Sequence, residues 1–127
     1  MEKSTMTKQK FLNQWLRHFA SGLSKKQYET YVKDQFIWHV FSWKLITPDG
    51  LLTGDAARRA FDAADKTDCV CCELYGGGVS DHLPPQLDTA EKIDAESLEF
   101  YVVAVDYAWT YIKTHEDDSC GPYFLRK

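Results

Sequence analysis

Apolar residues recur at helical spacing from Thr7 to Gly22, where Phe11, Leu12, Trp15, Leu16 and Phe19 stand among polar positions. This predicts an amphipathic helix, stopped by Gly22. Ser24 followed by Gln27 reads as a capping box opening a second helix, with Tyr28, Tyr31 and Val32 as its apolar face and an end near Asp34. From Phe36 to Trp43 the pattern changes: the residues are aromatic or β-branched, with apolar side chains at both parities. That predicts a central strand covered on both faces. Pro48-Asp49-Gly50 is turn chemistry. Ala56, Ala57, Ala60, Phe61 and Ala64 then give a third helix, about Asp55 to Asp65, a small apolar face suited to close packing on a sheet.

A second strand is predicted from Asp68 to Tyr75, with Cys69, Cys71, Glu73 and Tyr75 on one side and Val70, Cys72 and Leu74 on the other. Strand, helix and strand in this order suggest a parallel β-α-β crossover. Gly76-Gly77-Gly78 ends the strand, and the stretch to Gln86, with Pro84-Pro85, reads as an exposed loop. Asp88-Thr89-Ala90-Glu91 caps a short helix reaching about Ile93. The last third reads as a hairpin: Phe100 to Val105, a turn at Asp106-Tyr107-Ala108, and Trp109 to His115. In its second strand Trp109, Tyr111, Lys113 and His115 share a face expected to stay partly wet. The fold class expected is α+β: two N-terminal helices, a mixed four-stranded sheet with one crossover, and a C-terminal hairpin. Residues 1–127 are expected to form a single domain, since that length suits one core.

Composition sharpens this reading. Hydrophobic residues make up 44% of the chain and aromatics 14%, enough for a packed core. No apolar run has the length of a membrane span, and the first residues lack the apolar stretch of a secretory signal, so a cytoplasmic location is expected. Of the four cysteines, Cys69, Cys71 and Cys72 crowd into one strand, where neighbours are badly placed to bridge. Reduced, buried thiols are expected.

The net charge of −4 is unevenly spread. Residues 1–47 carry eight Lys/Arg against three acids, whereas residues 48–127 carry seven against sixteen. The plain account is that the halves neutralise each other on packing. The functional account is an acidic face that steers toward a basic partner. No basic stripe interleaved with aromatics lies outside the lysine-bearing opening helices, which disfavours nucleic acid.

No catalytic residue is assigned. His115 with Glu116, together with His39, and Glu73 as a nearby carboxylate, would suit proton transfer if the first and last strands met at one cleft. The plain alternative is that each histidine is a hydrogen-bonded structural residue. Cys120 is the cysteine outside a strand, five residues after His115, with nothing fixing their geometry. Cys69, Cys71 and His82 are the residues to consider for a metal, but strand thiols make a poor chelating hairpin, and neither metal nor cofactor is expected. Gly76-Gly77-Gly78 lacks the Lys-Ser/Thr of a phosphate loop and reads as a turn.

Trp38-His39-Val40-Phe41-Ser42, Ala56 to Asp62, Trp109-Thr110-Tyr111-Ile112-Lys113-Thr114-His115-Glu116 and Gly121-Pro122-Tyr123-Phe124 form a recognisable set. Over about Trp38 to Phe124 the chain resembles a bacterial domain-of-unknown-function family, numbered four-two-seven-five, of short and mainly Gram-positive proteins. The Cys-Val-Cys-Cys strand and the segment 76–99 fall outside that pattern. The resemblance implies a stand-alone cytosolic bacterial or phage protein and transfers no activity. It directs attention to Trp109, Tyr111, Thr114, His115, Glu116, Gly121, Pro122 and Tyr123, as a binding site or as a clasp returning the C-terminus to the sheet.

Three functions remain open. One is a binding module of the immunity or inhibitor kind, taking a protein partner, basic in character, through the acidic surface. Another is a small hydrolytic enzyme using His115 and Glu116. The last is a small-molecule sensor using the faces of Trp38, Trp43 and Trp109.

Overall fold

Thr7 opens the first helix, its hydroxyl accepting from the Lys10 amide at 3.1 Å. The structure is a computed structural model that describes residues 7–32, 39–42, 44–46, 48–73, 78–96, 99–114 and 121–126. Helix α1 (Lys8–Phe19) buries Phe11, Trp15 and Phe19 on one stripe, as the spacing predicts. Ser24 and Gln27 form the expected capping box, with each side chain accepting from the other's backbone. The helix they open, α2 (Lys25–Gln27), widens into a π-helical turn over Tyr28–Val32.

The sheet has six strands: β1 (Leu52–Thr53), β2 (Cys69–Glu73), β3 (Val79–Ser80), β4 (Phe100–Ala104), β5 (Trp109–Lys113) and β6 (Tyr123–Arg126). Their order is β1-β6-β5-β4-β2-β3, and every neighbouring pair is antiparallel. The α+β class stands, but the mixed four-stranded sheet does not. β1 and β2 flank helix α4 (Gly54–Ala63) and run the same way, yet β6, β5 and β4 lie between them. The expected crossover paired a strand at 36–43 with β2 around this helix; instead the β4–β5 hairpin and β6 fill the middle of the sheet.

Two further expectations change. His39–Ser42 is a helical turn, α3, where a central strand was predicted; the remaining residues of that segment lie outside those described. Apolar residues at both parities also suit a turn packed all round, and Val40 and Phe41 are buried. The Phe41 ring meets Trp15 edge-on at 5.6 Å and Tyr123 at 5.4 Å. The stretch read as an exposed loop contains β3, whose Val79 and Ser80 are both buried against β2. Two residues carry too little period to announce a strand among glycines and prolines.

Strand alternation sorts the core into two layers. Tyr101, Val103, Ile112, Tyr123, Leu125 and Cys72 face α1 and α3, while Val102, Tyr111, Phe124, Cys69 and Cys71 face α4 and α5 (Ala90–Asp94). The Trp109–Tyr111–Lys113 face, expected to be partly wet, is sealed. Phe61 of α4 stacks on Tyr111 at 4.3 Å and meets Trp109 edge-on at 6.0 Å, and Lys113 is 4% exposed. At the far end of α1, His18 stacks on Tyr107 of the β4–β5 turn, rings parallel at 3.8 Å. Among the described residues no helix is long and apolar enough to cross a membrane.

Candidate functional site

With helices on both faces, the sheet becomes a partition between charges. On one side, residues 7–32 carry five Lys/Arg and one acid, with Lys10, Arg17, Lys25 and Lys26 exposed. On the other, α4 and α5 carry Asp55, Asp62, Glu91 and Asp94 with Arg58, Arg59 and Lys92, and residues 54–96 as a whole carry ten acids and four Lys/Arg. The densest part is 81–96, where Asp81, Asp88, Glu91, Asp94 and Glu96 are accompanied by Lys92 as the segment's sole base.

Local pairing offsets part of this charge. Lys92 reaches Asp88 at 2.8 Å, one turn away, and this hydrogen bond holds the Asp88 carboxyl below its usual range. Arg58 of α4 spans Asp55 at 2.8 Å and Asp94 at 2.9 Å. Lys66 lies over the Phe61 ring and donates to the carbonyls of Asp62 and Ala64. Asp81, Glu91 and Glu96 stay exposed, as do Asp65 and Asp68 in the loop after α4. The Arg58 and Lys92 ion pairs all join residues within 48–127, and the sheet stands between the acids of α4 and α5 and the cations of α1.

A cleft of about 660 Å³ opens beside this segment, lined among the described residues by Glu73, His82, Pro84, Pro85, Gln86, Leu87 and Glu96. Glu73 ends β2, His82 follows β3, the prolines lead into a 3₁₀ turn (Pro85–Leu87), and Glu96 follows α5. Four elements thus meet at one concavity. Its walls are apolar at Pro84, Pro85 and Leu87, with carboxylates from two separate elements. The sequence pattern alone suggests Glu73 beside the histidines instead. His39 belongs to α3 on the α1 side, whereas Glu73 shares the parity of Cys69 and Cys71 on the other, so the two do not share a cleft.

The C-terminal group divides. Trp109, Tyr111, Thr114, Pro122 and Tyr123 are all buried, and Gly121 is half-buried. Gly121 has φ +83°, and a Cβ there would stand 3.1 Å from the Tyr123 ring and 3.2 Å from the Thr114 methyl. The turn before β6 is therefore pressed onto Thr114, and β6 pairs with β5 from Ile112↔Tyr123 to Trp109↔Arg126. His115, Glu116 and Cys120 lie outside the described residues, as do Trp38 and Trp43. Glu99, placed directly before an apolar strand, is fully buried and accepts from the Tyr101 hydroxyl at 3.1 Å, a site whose sequence signal is that position alone.

Burial disfavours the thiolate at all three strand cysteines. It pushes Cys69 up to about 11, Cys71 to about 12 and Cys72 to about 11. The Cys71 thiol donates to the backbone carbonyl of His82 at 3.6 Å. His82 itself is exposed, and among the described residues no three His, Cys, Asp or Glu side chains are grouped to hold a metal ion.

A family model described as a domain of unknown function (DUF4275) matches residues 2–124. The match spans the opening helices, the cysteine strand and the segment 76–99 as well as the C-terminal motifs. No curated protein and no solved structure matches the chain.

Proposed function

The chain belongs to the DUF4275 family, and from that premise we propose that it is a binding module, of the immunity or inhibitor type, that docks a basic protein through the acidic surface centred on residues 81–96. The observation carrying this reading is the partition of charge by the sheet. Packing puts Glu91 and Asp94 of α5 on the face opposite α1, and among the described residues the ion pairs of Asp88 and Asp94 are with Lys92 and Arg58 rather than with the cations of α1. A one-signed surface raises the encounter rate with an oppositely charged partner and rejects like-charged ones. Glu91 of α5, with Asp81 after β3 and Glu96 after α5, all exposed, are the charges available for this.

The test compares capture from native lysate by three proteins. They are the wild type, an acidic-face variant (Asp81→Lys with Glu91→Lys), and a basic-face variant (Lys10→Glu with Arg17→Glu). Each is run at about 50 mM and about 500 mM salt, conditions that weakly and strongly screen exposed charge. A basic protein held by the wild type and the basic-face variant, and released by salt or by the acidic-face changes, is the expected result. A partner retained by the acidic-face variant, or no partner at low salt, would overturn the reading.

A further inference from the structure

We infer that the cleft between Glu73 and Glu96 is the subsite that receives an arginine side chain of the basic partner. The inference rests on the acidic-face reading and gives that face a point of specificity.

At about 660 Å³ the cleft lies within the range of concave sites that enclose a ligand group, roughly 300–1,000 Å³. Its lining then selects the group. Glu73 and Glu96 come from the end of β2 and the residue run after α5, so acidic residues of two separate elements line one space. Anions so placed, on a face already rich in acids, exclude an anionic ligand and leave a neutral one with nothing to offset the charge. The remaining wall, Pro84, Pro85 and Leu87, is apolar and suits a hydrocarbon stem or a flat face rather than a compact, hydrated ion. A metal ion fits poorly, since the acidic groups and His82 are not arranged as a chelating set. A guanidinium fits best: its stem covers the leucine and prolines, its plane lies against a proline ring, and its five donors are divided between the two carboxylates. Lysine offers the stem but only a point charge.

The cleft is also stably built. Lys92 of α5 donates to the Pro85 carbonyl at 3.2 Å as well as pairing with Asp88, and Leu87 donates its amide to the Pro84 carbonyl at 2.9 Å. These bonds tie the proline wall to the helix that precedes Glu96. The subsite therefore exists before the partner arrives, which lowers the ordering cost of binding.

The test is a titration of isotopically labelled full-length chain, followed by NMR, with acetyl-Gly-Arg-Gly-amide and with its neutral isostere carrying citrulline for arginine. Spermidine, a free cation without a guanidinium, is the third probe. The arginine peptide is expected to shift the signals of Glu73, His82, Leu87 and Glu96, and the citrulline peptide to leave them in place. Glu96→Gln and Glu73→Gln, with unchanged spectra elsewhere as the check on folding, should each weaken the arginine peptide roughly three- to tenfold. Equal shifts from citrulline, or tighter binding of spermidine at the same residues, would overturn the assignment to an arginine side chain. Shifts scattered over Asp65, Asp81 and Glu91 and untouched by either Gln substitution would overturn the subsite while leaving the acidic-face reading standing.

Discussion

Arg58 on α4 holds Asp94 on α5 at 2.9 Å, and the carboxylate of Asp62, one turn further along α4, accepts the amide of Ala90 at 2.8 Å. Helix α5 has only five residues, too few to be stable alone. Its place depends on these two links and on the burial of Ala90 and Ile93. The acidic segment is thus fastened to the sheet through α4.

Replacing Arg58 with Met keeps the stem and removes the charge that spans Asp55 and Asp94. Both partners of the Arg58–Asp94 pair are 28% exposed, so the loss is modest, about 1 kcal/mol in urea denaturation. Hydrogen exchange is expected to rise in α5 more than in α1. Equal exchange in both helices would mean that Arg58 does not anchor α5.

A second link crosses the α1 side. The Trp15 indole donates to the Thr110 hydroxyl at 3.0 Å, and that hydroxyl donates to the Val102 carbonyl at 3.0 Å. Thr110→Val conserves shape but strands a buried indole N–H, with an expected loss of about 1–3 kcal/mol. Combining it with Trp15→Phe, which removes the donor itself, should cost less than the two single changes together. Additive losses in denaturant titrations would show the two groups to be uncoupled.

The three strand thiols give a pH dependence whose sign is fixed. Each has its folded pKa raised above the ordinary 9.0, to about 11 or 12, because burial disfavours the thiolate. Below pH 9 both folded and unfolded thiols are protonated, and the native state carries no penalty. As pH rises from 9 toward 12 the unfolded chain releases protons that the folded chain keeps, so stability falls. Cys71→Ala should flatten that fall in denaturation curves at pH 8 and pH 10. A thiol reagent at pH 8 should label Cys69, Cys71 and Cys72 only after unfolding; rapid labelling of the native protein would contradict their burial.

Much of this architecture was legible from periodicity. The stripe of α1, the Ser24–Gln27 capping box, the alternation of β2 and the Phe100–Lys113 hairpin all repeat local rules over enough residues to be read. The failures come where a local rule is short or double-edged. Val40 and Phe41 suit a strand or a buried turn equally, and only the neighbouring Trp15 and Tyr123 rings decide. β1 and β3, two residues each, exist because β6 and β2 offer them partners. Cross-sheet proximity has no local signature at all, which is why the sequence suggests Glu73 beside His39 and not beside Glu96. The asymmetry of charge could be counted from the sequence, but its separation by the sheet could not.

Gly121 and Gly50 separate the cost of backbone conformation from that of close packing. Both have positive φ, +83° and +81°, but a Cβ at Gly50 would meet nothing within 4 Å, whereas at Gly121 it would press on Tyr123 and Thr114. Gly50→Ala is expected to cost about 1–2 kcal/mol, the left-handed penalty alone. Gly121→Ala should exceed it by at least about 1 kcal/mol, since the tightly packed turn must also shift. Equal thermal shifts for the two variants would show that the β6 turn is not pressed onto the sheet.

Hydrogen exchange on the complex with a captured basic partner tests the division of charge most directly. Protection confined to residues 81–96 and the end of β2, with α1 exchanging as in the free chain, is the predicted footprint. Protection of α1 around Lys10 and Arg17, with residues 81–96 unchanged, would contradict it.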